Sequence, residues 1–354
     1  MRRVLISAAA AIGSALLIAG CSSASSSSSG AASAGAASTN APSGGAPVTV
    51  RLGYLANITH APALIGVKNG YFTKALGSAG TLQTTVYSTG TEESTAILSG
   101  QLDAAYVGPN PAITAWQKSN GAAIKIISGV ATGGASVVVK PSISSASQLK
   151  GQSLATPSLG NTQDVALRYY LKQQGMTTST TGGGDVAIKP TTPNSDAVLE
   201  FKSGQIAGAS EPAPYDVEMV QDGGKVLLTE PGVTTLLMVT QSFLSAHPTI
   251  VADLLKGQIE ANNFIKSNPA QAAADANAEL AAYTGKPLKS SVLTPAFKEI
   301  TFTDNPDAAS LTQDAQQAES VGLLQSVNLN GIFDLGPLNK LLAADGEPQV
   351  SSSS

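Results

Sequence analysis

Val48-Thr-Val-Arg-Leu-Gly-Tyr54 is a short β-rich run, and His60-Ala-Pro-Ala-Leu-Ile-Gly-Val-Lys-Asn-Gly70 follows it with a proline near a helix start and an Asn-Gly stop. Together they predict one strand–helix unit, and the pattern repeats downstream. Leu82–Tyr87 predicts a strand, Glu92–Ser99 a helix, and Ala104–Val107 a short buried strand that runs through Gly108-Pro109-Asn110-Pro111 into an Ala112–Lys118 helix. Ile124–Val130 and Ser136–Val139 read as further strands. This alternation predicts an α/β fold with largely parallel sheets.

A second set begins after Pro141: strand Ser153–Ala155, a glycine-containing turn at Pro157-Ser-Leu-Gly-Asn-Thr162, and a long helix from Gln163 to Gln174. Val186–Lys189, Ser195–Ser203, Ile206–Ser210 and Lys225–Leu228 extend it, and Thr235–Val239 returns as an extended segment. The two sets predict two lobes. Helices then dominate, at Pro248–Ser267, Pro269–Ala282 and, after a loop, Asp307–Val321, with a short terminal piece near Leu335–Ala343. No repeat of 20–50 residues is present.

The N-terminus is of another kind. Met1-Arg2-Arg3 is positive, and Val4–Ile18 is apolar and uncharged but shorter than the ~20 residues of a spanning helix. Residues 1–20 therefore predict a signal peptide. Ile18-Ala19-Gly20-Cys21 resembles the lipobox that is cut before a cysteine destined for lipidation, and the only cysteine of the chain stands there. The plain alternative, a buried core cysteine, suits this position poorly, between a signal-like stretch and a polar tract. Residues 21–47 then predict a lipidated Cys21 on a Ser/Ala/Gly tether, a composition that cannot offset ordering entropy and that reaches about 25–30 Å as a coil. The expected location is the outer face of the cell membrane, after export. Cleavage there removes two positive charges from a formal net charge of −4 and leaves −6. With no second cysteine, no intramolecular disulfide can brace the exported chain.

Composition excludes several functions. Lys and Arg total 20 against 24 acidic residues without a basic cluster, so no nucleic acid is expected as partner. Two histidines and one lipid-bound cysteine leave few metal ligands, and no metal or cofactor is expected. No phosphate-binding loop, His-Glu-x-x-His or Gly-x-Ser-x-Gly motif occurs, and Gly182-Gly-Gly184 lacks a strand–turn–helix setting. Carboxylates such as Glu92, Glu93, Asp103, Asp164 and Glu211 leave acid–base chemistry open in principle, yet Glu92-Glu93 reads as a helix opening. A catalytic role is not expected.

Several turns place small residues directly before helices: Thr89-Gly-Thr91, Gly108-Pro-Asn110 and Ser158-Leu-Gly160-Asn161-Thr162. Each offers free backbone N–H groups, hydroxyls and a positive helix end, which suit an oxyanion. Each is equally consistent with ordinary N-capping. His60, at the first strand–helix turn, is either an oxyanion donor that titrates near neutral pH or a surface turn residue. Trp116 and Tyr106 read as core before cleft.

The order of Leu52-Gly-Tyr54, Asn57-Ile-Thr-His60-Ala-Pro-Ala-Leu64, Lys68-Asn-Gly-Tyr-Phe72 and Ser99-Gly-Gln-Leu-Asp-Ala-Ala-Tyr-Val-Gly-Pro109 resembles a known family, as do Leu149-Lys-Gly151, Pro157–Thr162, Ser203-Gly-Gln-Ile-Ala-Gly208 and Glu211-Pro212. It is the substrate-binding proteins of ABC importers for nitrate, alkanesulfonates and taurine, a branch of the type II periplasmic-binding fold, and the resemblance spans about residues 48–330. It implies lobe 1 from 48–138 plus 238–330, lobe 2 from 139–237, crossings near Val138–Pro141 and Thr235–Thr240, and a ligand cleft between lobes. Residues 331–354 would be a C-terminal segment and tail. The implied ligand set is Asn57, Thr59, His60, Thr89, Thr91, Gly108, Asn110, Gly134, Ser158, Gly160, Asn161, Thr162 and Glu211. At Glu211 the family often presents Glu-Pro or Trp-Asp-Pro to the cleft, where a carboxylate would suit an amine or ring N–H; a solvated turn is the other reading. The implied protein is a monomer that captures a small organic anion (an alkanesulfonate, taurine or nitrate-like solute) by hinge closure and passes it to permease and ATPase subunits. A thiamine-precursor pyrimidine or another amine-bearing solute is the alternative. One departure stands out: only Arg51 and Arg168 remain beyond the leader, in a strand and in mid-helix, so neither is placed for a bidentate oxyanion clamp.

Overall fold

The structure, a computed structural model, describes residues 46–353; Cys21 and the segments 1–20 and most of 21–47 lie outside them. Eleven strands run in the order β1 (Val48–Leu55), β2 (Gly80–Tyr87), β3 (Ala104–Val107), β4 (Ile124–Gly133), β5 (Ala135–Val139), β6 (Ser153–Thr156), β7 (Ala187–Pro190), β8 (Gly208–Pro212), β9 (Lys225–Thr229), β10 (Val233–Thr240) and β11 (Ile300–Phe302). They form a six-stranded sheet, β11-β4-β10-β3-β1-β2, and a five-stranded sheet, β7-β6-β8-β5-β9. Each sheet with its helices is one lobe.

Strand composition follows position. The central β3 and β10 are buried along their whole length, β3 as an unbroken apolar run and β10 as an apolar centre flanked by threonines, whereas the edge strand β2 alternates half-buried and exposed residues beyond the buried Gly80. The period of two shares β1 and β3 between layers: Val50, Leu52, Tyr54, Ala104 and Tyr106 join one apolar core, Ala105 and Val107 the other. The long helix Pro248–Ser267 covers the first core with Val251, Leu254, Leu255, Gln258 and Asn262, an i, i+3, i+4 stripe.

Both sheets are mixed, where the sequence reading expected largely parallel ones. β1 runs parallel to β2 and β3, and β6 to β7 and β8, but β10 lies antiparallel to β3 and β4, and β5 antiparallel to β8 and β9. The reason is topological: β5 and β10 are the strands that arrive from the other lobe, and they enter each sheet against its grain. The chain changes sheet at Gly133–Gly134 and returns through Glu230–Gly232. Both crossings come before Val138–Pro141 and Thr235–Thr240, where the sequence placed them. Pro141 was expected to punctuate the first; the turn is made instead by Gly133 and Gly134, both at positive φ (70° and 72°).

Residues 282–307 are more than a loop. They hold the helix Ser290–Lys298 and β11, which pairs with β4 at Ile300–Phe302. The segment after 331 also belongs to the first lobe, since Phe333 bridges to Ile126 of β4 and Leu338 and Leu342 are buried in its core. β11 and this segment together cover the outer edge of β4, which would otherwise offer unpaired backbone. Among the described residues no helix is long and apolar enough to cross a membrane.

The helix Tyr71–Leu76 is too short to stand out in the sequence, and it is held by Phe72. The ring is fully buried, 6.3 Å from Tyr106 edge to face, in a slot where a Cβ on Gly66 or Gly257 would strike it. Phe72→Ala is therefore expected to cost about 3–5 kcal/mol in urea unfolding; a loss below about 1 kcal/mol would mean that the slot collapses freely.

Candidate functional site

The carboxyl ends of β1, β2 and β3 face those of β6, β7 and β8 across the line between lobes, and a small cavity of about 30 Å³ lies there. Roughly 10–15 Å³ holds one water, so it takes on the order of two, and a larger group only if the lobes part. The lobes touch around it. Thr91 Oγ1 and Ser158 Oγ are 3.1 Å apart across the gap, Ile58 N–H donates to Ala213 O at 2.9 Å, and Tyr215 Oη donates to Ala56 O at 3.3 Å.

Two helix starts converge on this cavity. In the first lobe Thr89 caps the helix Gly90–Leu98, its Oγ1 accepting from Glu92 N–H at 3.2 Å, which leaves the N–H groups of Gly90 and Thr91 without intrahelical acceptors. In the second lobe Asn161 caps Thr162–Gln173 by accepting from Asp164 N–H at 2.9 Å, leaving those of Thr162 and Gln163. Thr89, Gly90, Asn161, Thr162 and Gln163 all line the cavity. Thr162 Oγ1 is buried without a hydrogen-bond partner. The same residues thus cap their helices and line the cavity.

Of the other residues singled out in the sequence, Asn57, Thr59, His60 and Gly108 line the same cavity. A Cβ on Gly108 would lie 2.6 Å from Thr162 Oγ1, so this position needs a glycine for the lobes to meet. His60 is buried rather than on a surface turn, and its titration near neutral pH is not found. Burial pushes its pKa down to about 3, and Nδ1 accepts from Leu55 N–H at 3.2 Å, which puts the proton of the neutral ring on Nε2. Thr91 and Ser158 form the clasp at the rim.

Four residues fall elsewhere. Asn110 points into the first lobe, where Nδ2 donates to Asp314 O at 3.2 Å. Gly134 makes the crossing, packed on Ile300. Gly160, at φ 77°, gives its N–H to Asp164 Oδ2 at 2.9 Å and stabilises the turn from behind. Glu211 is buried in β8 with both carboxyl oxygens unpartnered, away from the cavity, so the amine-reading role drawn for it has no geometric basis. Tyr106 and Trp116 are core: Tyr106 Oη donates to Gln258 and Trp116 Nε1 to Asn328 O.

Both arginines are engaged away from the cavity. Arg51 pairs bidentately with Asp103, at 2.9 and 2.6 Å, and the buried Arg168 bonds both Asp164 oxygens at 3.0 Å and Ser179 O. Among the described residues the cavity has no charged lining at all, and no group of acidic, histidine or cysteine side chains is arranged to hold a metal ion. The sequence reading missed Ser88, Asn194 and Thr234, which also line it. Asn194 had a signal: Pro193-Asn194-Ser-Asp196 after β7 is the same strand–helix turn as the others.

Glu211 belongs to a buried acidic set at the crossings. Asp216 Oδ1 accepts from Val217 N–H at 2.7 Å, Ser210 Oγ donates to Glu230 at 2.5 Å, and Asp314 feels the charge of Glu230. Burial raises all of these carboxyls: Asp216 to about 6 and Glu230 to about 8, each held back in part by its hydrogen bonds, and Glu211 and Asp314 well above the usual range, where repulsion from neighbouring acids adds to burial.

A family model described as the NMT1-like family matches residues 43–282. The chain belongs to that family. No curated protein sequence matches it. Among solved structures, the NMT1-like chain is similar to the periplasmic nitrate-binding protein NrtA from Synechocystis (TM-score 0.71, 15% identity, 84% of this chain and 89% of that one). It is also similar to the alkanesulfonate-binding protein SsuA from Xanthomonas axonopodis bound to MOPS (0.66, 16%, 80% and 96%) and to the aliphatic sulphonate binding protein SsuA from Escherichia coli (0.60, 19%, 77% and 91%). At such identities the likeness speaks for the fold, which is that of the periplasmic binding proteins, as the sequence implied.

The acidic set gives a signed expectation for this NMT1-like protein. An acid whose pKa is raised by folding stabilises the fold fully only below its unfolded value, near 4.5 for Glu230, and that contribution is lost as pH rises to the folded value of about 8. The midpoint of thermal unfolding should therefore fall by several degrees between pH 5 and pH 8, and Glu230→Gln should flatten the fall. A midpoint that rises over that range would refute the assignment.

Proposed function

We propose that this protein is the solute-binding component of an ABC-type importer, exported and held at the outer face of the membrane by lipidated Cys21. It captures the anionic group of a small organic solute between its lobes and hands it to a permease and ATPase. One observation carries the reading: two capped helix starts, one from each lobe, aim free N–H groups and the unpartnered Thr162 hydroxyl into a cavity without a carboxylate. Partial positive charge from both sides suits an oxyanion and repels a cation. The printed names of the similar structures, binders of alkanesulfonate and nitrate, agree with that chemistry. The lining has no carboxylate pair and no nucleophile held by a base, which favours capture over turnover.

Capture works by difference. An anion that draws hydrogen bonds from Thr89 and Gly90 on one lobe and Thr162 and Gln163 on the other binds the closed form better than the open one, and so shifts the equilibrium toward closure. His60, neutral with its proton on Nε2, adds a donor that stays available across physiological pH.

Calorimetric titration of the full chain with methanesulfonate, taurine and nitrate tests this. Saturable binding of at least one is expected, with Thr162→Val about tenfold weaker, the loss of one buried hydrogen bond to a charged group. No saturation at millimolar concentration by any of the three or by hexanesulfonate would overturn the reading.

A further inference from the structure

Directly outside the small polar cavity, the lobes enclose a second space of about 810 Å³. The two are continuous, since Leu55, Asn57, Ser88 and Asn194 line both. Their chemistry differs sharply. The outer chamber takes Val198, Leu199 and Tyr215 from the second lobe and Tyr87, Tyr283 and Leu288 from the first. Leu199 is 62% exposed and Tyr283 43% exposed, and they stand on opposite walls, two of only six large apolar residues so exposed among the described residues. Apolar surface left in water on both sides of a cleft marks a binding region.

We infer that the chamber holds the apolar body of the solute whose anionic group sits in the inner cavity, so that the protein selects organic anions with an aromatic or extended aliphatic body over compact ones such as nitrate or taurine. The inference rests on the reading of the inner cavity as the anion site. The geometry supports a head-and-body ligand in three ways. The inner cavity, at about 30 Å³, holds on the order of two waters, so even as the lobes part it takes no more than a head group. The chamber is of the size that encloses a drug-sized molecule. Its charges do not oppose an anion: Lys202 is paired with Asp222 at 2.9 Å, Lys286 faces Glu218, and Lys289 remains as an additional cation.

The chamber residues also have a reason to be exposed in the absence of ligand. Leu199 lies off the buried Ala197-Val198-Phe201 face of the helix Asn194–Lys202 and turns to the chamber, largely exposed. Tyr283 lies in the last turn of the helix Pro269–Thr284, and its Oη donates to Glu279 Oε1 at 3.1 Å and lies 2.8 Å from Tyr54 Oη, so its ring is a fixed wall rather than a loose side chain.

Calorimetric titration of the full chain with methanesulfonate, hexanesulfonate and 2-naphthalenesulfonate, with uncharged 2-naphthol beside them, separates head from body. Burial of a methylene is worth up to roughly fourfold in affinity, so hexanesulfonate and 2-naphthalenesulfonate should bind at least tenfold more tightly than methanesulfonate. Leu199→Ser, at an exposed position that the fold does not depend on, should reduce that ratio severalfold. Equal affinity for all three sulfonates would overturn the chamber assignment and leave the anion site standing. Binding of 2-naphthol without any of the sulfonates would overturn the anion site and leave an apolar chamber. Binding of none of the four would overturn both.

Discussion

The double crossing between sheets is the constraint on which the rest of the structure depends. Two antiparallel passages of chain must turn within a few residues while remaining hydrogen-bonded, and Gly133 N–H donates to Gly232 O at 2.9 Å to tie them together. Thr234 Oγ1 adds bonds to Ala131 O and Gly133 O, and Ala213 N–H bonds Gly134 O. Once β5 and β10 are exchanged in this way, each runs against the strands that flank it, and the carboxyl ends of the parallel strands are brought face to face. The cleft is a consequence of that exchange. Ligands of open α/β sheets bind beyond such strand ends, and here two sets of them share one space.

The same crossings collect carboxyls. Glu211, Asp216, Glu230 and Asp314 are drawn together without a lysine or arginine to neutralise them, and protonation is the means left for them to remain buried. The inner cavity shows the converse arrangement, uncharged and ringed with donors. Acidic groups have been kept out of the lining and put behind it, where burial favours their protonated forms. An unprotonated Glu211 would add a repulsive field to an anion bound at the neighbouring strand ends, so the burial of these acids and the neutrality of the cleft are parts of one electrostatic arrangement.

Much of the fold was legible in the sequence because its signals are local. The runs Ala104–Val107 and Pro248–Ser267 were read to the residue, since apolar continuity in one and a proline at each end of the other need no tertiary context. Thr89 and Asn161 were legible for the same reason: a cap is a relation between residues three apart. The helix Ser290–Lys298 was hidden by Pro295 inside it, and β11 by its length of three residues. The misplaced site residues share one cause. Whether Asn110 or Glu211 faces a cleft or a core depends on which strand lies beside it, and the order β7-β6-β8-β5-β9 was not written in any local pattern. His60 lines the cavity, but a titration near neutral pH was read for it, because its low pKa comes from burial by distant segments.

The lack of an arginine clamp now has a physical sense. A guanidinium in the cleft would hold an anion on one lobe alone, through bonds available in the open form as well as the closed one, and would add affinity without adding closure. Two helix ends of opposite origin do the reverse. Each offers a partial charge of roughly half a unit, weak by itself, and only their approach from both sides makes a site. On the proposed reading the free energy of binding is concentrated where both helix ends reach the anion at once, a slightly wider arrangement than the one in which Thr91 meets Ser158 and Thr162 packs against Gly108. A receptor whose partner must distinguish loaded from empty gains from that distribution, because differential affinity, and not tightness, is what moves a two-state equilibrium.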